Sequence, residues 1–272
     1  MITRALLHGR RIAAIVAALT WTLTASPASA EQLRVVVSGG FNQPYRILVV
    51  DWEKATGHTV VTEQGASMGA TPTAIPNRLA RGEQLDIVIL SREVLDRLAK
   101  EGKVVEGSQV DLVRSRIGMS VKAGASKPDI STEAKFRQVL LNAKSIGVSD
   151  SASGVYITSE MFKTMGIADQ VAAKVKVIPG TPVAEAVARG DVEVGFQQVS
   201  ELMPVQGATF VGTIPASVQR VTIFSGGVTT TSKVQAIARQ LLAFLSSEKG
   251  WETIRRTGLD PAGAPVGAGF GR

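Results

Sequence analysis

The chain of 272 residues contains no cysteine. A thiol nucleophile, a cysteine-ligated metal and a disulfide framework are therefore excluded together. Histidine is almost as scarce. His8 falls within the first thirty residues, and the other, His58, sits in Thr56-Gly57-His58-Thr59, which reads as a helix-to-strand turn and so as a surface position. One histidine supports neither Ser-His-Asp catalysis nor a histidine-rich metal site, and no metal or cofactor is expected. The chain also lacks an internal repeat, a Walker-type phosphate loop and a GxGxxG fingerprint. No block of Lys and Arg interleaves with aromatics, so no nucleic-acid partner is expected.

Long apolar runs are missing as well. The one near the start, Ile12 to Leu23, is too short for a comfortable membrane span. Arg4, Arg10 and Arg11 precede it, and Ser26-Pro27-Ala28-Ser29-Ala30 follows with the small-x-small pattern of a secretory cleavage site. Residues 1–30 are expected to be a signal peptide cut after Ala30, giving an exported, periplasmic protein that starts at Glu31. Taking the three signal arginines from the 30 basic residues leaves 27 against 23 acidic ones. This modest positive excess suits a small anionic ligand and suits a protein without one equally well. The remaining length is enough for one large domain or for two lobes with their own cores.

What is present is an alternation of strands and helices. Glu31 to Val37, Thr59 to Thr62 and Leu85 to Leu90 read as strands, and the segments between and after them carry apolar residues at helical spacing. Tyr45, Leu48, Val49 and Trp52 fall on one face of a helix that Gly57 stops. Such alternation argues for mostly parallel sheets covered by helices. An extended run, Arg116 to Val121, marks a crossing to a second lobe, and Val218 to Val228 marks the return. Between them Ser145 to Val148, Val175 to Ile178 and Val192 to Phe196 read as strands. Pro261 to Arg272, rich in Gly, Ala and Pro, reads as a flexible tail.

Small residues and amides collect at the strand ends: Ser38-Gly39-Gly40, Ser67-Met68-Gly69, Ser151-Ala152-Ser153, Gly180-Thr181 and Gln197-Gln198. Each junction can cap a helix. Each can equally offer bare N–H groups and a helix dipole to an anion. In an open α/β sheet such ends face one crevice.

Several segments carry a resemblance. The run Ala238–Gly250 (ARQLLAFLSSEKG), the later Gly258-Leu259, Leu85–Ser91 (LDIVILS) and Ala188–Gly195 (ARGDVEVG) are similar to segments of the periplasmic molybdate-binding protein family, within the type II solute-binding proteins of ABC importers. The resemblance runs from Leu33 to Pro261. It implies a two-lobed α/β fold, each lobe a mostly parallel sheet flanked by helices, with two hinge crossings. Lobe one would comprise 31–115 plus 216–260, lobe two 116–215, and the tail 261–272. It further implies a monomer that holds a small anion between its lobes and docks on an importer permease. The family's oxyanion contacts map to Ser38 or Gly40, Ser67, Ala152 or Ser153, Gly180 and Gln198. Here Gly40 stands where the family has its first serine and Gln198 where it has a tyrosine. The longer segment around Ser67-Met68-Gly69 and the two glutamines give room for a bigger, organic anion, so the ligand implied is a molybdate-like oxyanion or an organic polycarboxylate.

Two functions follow. The first is anion capture for an ABC importer. The second is isomerisation, since bacterial aconitate isomerases are exported proteins that resemble this family. An isomerase needs a base beside a carbon-bound proton, for which Asp150, Glu185 and Glu201 are candidates. It also needs partners for carboxylates, for which Arg78, Arg92 and Arg116 are candidates.

Overall fold

The computed structural model describes residues 30–265. The expected signal peptide up to residue 29, and the tail from residue 266 onward, lie outside the described residues. The first sheet begins with Gln32–Val37 (β1), Gly39–Thr56 (α1), Thr59–Gln64 (β2), Ile75–Ala80 (α2), Ile87–Ser91 (β3), Arg92–Lys100 (α3) and Val110–Ser115 (β4). One residue later the chain enters the second sheet as Ile117–Lys122 (β5), followed by Glu133–Asn142 (α4) and Ile146–Ser149 (β6). A continuous helical run comes next: Ala152–Tyr156 (α5) and Phe162–Thr164 (α6), joined by a wide π-type turn at Ile157–Met161. Ala168–Val171 (α7), Val175–Ile178 (β7), Val183–Arg189 (α8), Val194–Gln198 (β8), Val199–Leu202 (α9) and Ala208–Thr213 (β9) complete that half. The chain returns as Thr222–Val228 (β10), Gln235–Ser246 (α10), Trp251–Arg256 (α11) and the short Asp260–Pro261 (β11).

The first sheet has the order β11-β4-β10-β3-β1-β2 and the second β7-β6-β8-β5-β9. β1 lies parallel to β2 and β3, and β6 parallel to β7 and β8. The strands that carry the chain between halves, β4, β5 and β10, pair antiparallel with their neighbours, so both sheets are mixed. Three parallel strands in each half thus end on one edge, and these edges carry Ser38, Gln64, Ser91, Ser149, Ile178 and Gln198.

Each sheet has its own apolar core. In the first, α1 lays Phe41, Tyr45, Leu48, Val49 and Trp52 against Leu33, Val35 and Val37 of β1 and against α10. α1 stops at Gly57, whose positive φ of 75° lets its N–H reach the Glu53 carbonyl. The opposite face of that sheet buries Val36, Val88 and Leu90 under α2 and α3. The second core packs Phe136 edge-on against Phe196 at 5.7 Å and includes Ile214 and Val218. Val218 is thus buried in the second core.

Two expectations change. His58 is buried, its ring stacked on Trp52 at 5.4 Å, and its Nδ1 accepts the Glu31 N–H at 3.0 Å. The turn folds this imidazole back onto α1, where it satisfies the first strand's backbone. The start of the tail is also fixed, because Pro261 pairs with β4 and Arg114 donates to the carbonyls of Pro261, Ala262 and Ala264. One guanidinium there satisfies three carbonyls that would otherwise fray.

Candidate functional site

Between the two halves lies a cleft of about 350 Å³, lined by the ends of β1, β2, β6, β7 and β8. Ser38 and Gly39 enter it from the start of α1, Ser149 to Ser151 from the end of β6, and Gly180 to Pro182 from the turn before α8. Gln197 and Glu201 close the floor. Six of the thirteen expected contacts therefore meet here: Ser38, Gly39, Ser151, Gly180, Thr181 and Gln197. Asp150 and Glu185 also line it, and none of its lining residues is Lys or Arg.

Ser67 stands behind this wall, fully buried. Its hydroxyl donates to Ser38 Oγ at 2.9 Å and accepts the Ser91 N–H at 3.0 Å. The Ser38 hydroxyl is fixed in place this way. Across the cleft, Ser149 Oγ lies 3.2 Å from Ser153 Oγ and accepts the Gly154 N–H at 3.3 Å, so Ser153 is turned into the protein. Gly40 is covered by Phe224, and its carbonyl accepts from Ser200 Oγ at 2.9 Å. Gly69 packs against Asp150 of the other half, with φ at 110° and no space for a Cβ. Met68 and Ala152 line a second compartment instead. Gln198 is buried and reaches Thr222 Oγ1 at 3.1 Å, away from the cleft.

Glu201 is the chemically distinct group of the cleft. The segment Gln197-Gln198-Val199-Ser200 reads in sequence as a polar strand end, whereas the chain turns at once into α9, a four-residue helix. That turn presents Glu201 beside Gly39, where any side chain in place of the glycine would collide with its Oε1. Loss of solvation pushes the Glu201 carboxyl up to about 8, against hydrogen bonds from the Gln197 side chain and the Gln198 backbone that favour the ionised form. Gln197 holds a fixed orientation: its Oε1 accepts the Val183 N–H at 2.7 Å, so its Nε2 donates to Glu201 Oε1 at 2.8 Å.

The expected arginine partners sit elsewhere. Arg78 is buried in a pair with Glu83 and with Glu63 at 2.6 Å, which holds its guanidinium strongly protonated. Arg92 pairs with Asp96 at 2.8 Å and Asp111 at 2.6 Å. Arg116, in the crossing between β4 and β5, lies 3.8 Å from Asp260.

The chain belongs to the bacterial extracellular solute-binding protein family, whose model matches residues 33–260. It is 42% identical to a protein named aconitate isomerase from Pseudomonas sp over 253 residues, 93% of this chain and 96% of that one. It is 24% identical to the molybdate-binding protein ModA of Azotobacter vinelandii over 252 residues, 90% of this chain and 96% of the other. The solved periplasmic molybdate-binding protein of Azotobacter vinelandii superposes with a TM-score of 0.68 at 18% identity, covering 84% of this chain and 98% of that one. The two-lobed α/β fold expected from the sequence is the fold observed.

Proposed function

We propose that this protein is an exported isomerase that interconverts cis- and trans-aconitate by moving one proton within the interlobe cleft. The observation that carries this reading is Glu201, a half-buried carboxyl lifted to about 8 at the floor of a cleft whose walls also carry Ser38, Ser149, Ser151 and Thr181 and the Asp150 and Glu185 carboxylates. Support comes from the 42% identity to a protein named aconitate isomerase along almost the whole of both chains.

Aconitate is a propene with three carboxylates. A base removes a proton from the methylene carbon, the double bond shifts by one carbon, and the proton returns at the former vinylic carbon. Rotation about the bond that is single in between decides which geometric isomer results. Nothing else enters or leaves, so one carboxylate serves both steps. Ionised Glu201 takes the proton, and protonated Glu201 gives it back. A carboxyl near 8 is a stronger base than an ordinary glutamate and still has a workable ionised fraction near neutral pH. Charge that spreads into the substrate carboxylates in between meets N–H groups at the start of α1 and around Ser151. Incubation of the purified protein with cis-aconitate, followed by NMR, tests the reading through the appearance of the trans isomer.

A second reading is capture of a small anion for an ABC importer permease. The neutral character of the fixed Ser38 hydroxyl and its neighbours favours it, since such donors hold a dehydrated anion without a cation. It requires binding without turnover.

A further inference from the structure

The cleft that holds Glu201 has three carboxylates and no cation on its walls, which leaves the carboxylates of a polyanionic ligand without a charged partner. A second interlobe compartment of about 530 Å³ differs in having cationic side chains on its walls. Arg92 and Arg97 of α3 and Arg220, just ahead of β10, line it, against Glu93 and Glu160; Arg92 also pairs with Asp96 and Asp111, and Arg97 with Glu101. Arg220 is held by both oxygens of Glu160 and lies 4.4 Å above the Tyr156 ring.

One unpartnered polar atom belongs to a residue lining this compartment, Ser91, and two more belong to residues bonded to or paired with the start of β10. Among the described residues, four buried side-chain polar atoms have no hydrogen-bond partner: Ser91 Oγ, Ser115 Oγ, Gln198 Oε1 and Trp251 Nε1. Three of the four surround the start of β10. Ser91 pairs in register with Phe224, Ser115 pairs with Thr222, and Gln198 bonds the Thr222 hydroxyl. Buried polar groups are nearly always satisfied, so a cluster of exceptions marks a place where something polar belongs. Ser91 is the most telling. It is the residue ahead of α3, a position where serine normally accepts an N–H of the first turn. Here it makes no such bond, although it is only 4% exposed, so a buried hydroxyl without a protein partner sits at the first turn of a nine-residue helix. Ser91, Arg92, Glu93 and Val94 all line the compartment. Gln198 fits the same picture, because a half-turn of its amide lets Thr222 donate to the oxygen and frees the NH₂ group.

We propose that this compartment is a carboxylate-binding subsite, in which the Ser91 hydroxyl, the first-turn N–H groups of α3, Arg92 and Arg220 take a carboxylate of a di- or tricarboxylate ligand. The subsite deepens the isomerase reading by naming what recognises the substrate's charge, yet it stands on binding alone. It joins the cleft through the hydrogen-bonded line Ser91–Ser67–Ser38, which spans both compartments.

The test is calorimetric titration with tricarballylate, the saturated tricarboxylate that cannot isomerise, on wild type, Ser91→Ala and Arg220→Gln. Ser91→Ala removes a hydroxyl with no protein partner, so the free variant melts no lower than wild type while its affinity falls about tenfold, the worth of a hydrogen bond to a charged group. Arg220→Gln, at a half-exposed position, weakens binding by a similar factor. Unchanged affinity in both variants, or no binding to wild type, overturns the subsite. Weakened binding without any turnover of cis-aconitate by wild type leaves the subsite standing and removes the isomerase. Turnover with an unchanged KM in both variants does the reverse.

Discussion

Gln197 donates from Nε2 to Glu201 Oε1 at 2.8 Å because its carbonyl oxygen is already committed to the Val183 N–H at 2.7 Å. The amide cannot turn over without leaving that N–H unsatisfied, so the first turn of α8 sets the donor that faces the carboxyl. Gln197 therefore positions Glu201 while lining the same cleft. Replacing Gln197 with Leu removes a bond that favours the ionised carboxyl. The rising limb of the pH–rate profile moves to higher pH, and kcat at pH 7 falls about tenfold, as for loss of one hydrogen bond to a charged group. Purely structural damage would lower the rate without moving the limb.

Glu201 also links stability to pH. Its carboxyl keeps a proton up to about 8 in the fold, against an ordinary value of 4.5. Between those values the native state binds more protons than the unfolded chain, so this group's contribution to stability falls as pH rises through the window and levels off above it. Glu201→Gln removes that dependence. Melting temperatures measured from pH 5 to pH 9 show the variant gaining on wild type as pH rises.

Gly39 leaves the space that Glu201 occupies, since a Cβ there would meet its Oε1. Gly39→Ala forces the carboxyl or α9 to move, at a cost of about 1–3 kcal/mol in stability by overpacking. Thermal unfolding measures that loss, and the kcat for cis-aconitate falls with it because the displaced group is the proposed base.

Ser200 Oγ donates across the two halves to the Gly40 carbonyl at 2.9 Å, in a buried setting. Ser200→Ala strands that carbonyl and costs about 1–3 kcal/mol. Because the bond exists only when the halves are together, small-angle scattering of the variant without ligand gives a larger radius of gyration than wild type.

The sequence carries much of this arrangement, and particular residues show why it does not carry the rest. The face Tyr45, Leu48, Val49, Trp52 and its stop at Gly57 follow from helical spacing and glycine's freedom at positive φ. The strand ends follow from small residues after apolar runs. Glu201 was readable as one acid among three, but its lifted carboxyl was not, because desolvation comes from α1 of the other half, far away in sequence. Arg78 had no local sign of burial, since Glu63 and Glu83 reach it from two separate segments. His58 reads as a turn residue until Trp52 and the Glu31 N–H are brought against it. The segment from residue 199 shows the limit of periodicity, because four residues are too few to display a helical repeat.

In the proposed reaction Glu201 carries a proton between two carbons of aconitate. The most direct measurement follows cis-aconitate by NMR with wild type and Glu201→Gln side by side, while tricarballylate titration monitors binding in both. Wild type forms trans-aconitate to equilibrium, and the variant binds tricarballylate but turns over at least about 100-fold more slowly, the range expected for loss of a general base. Equal turnover by the two proteins, or none by wild type, contradicts the account.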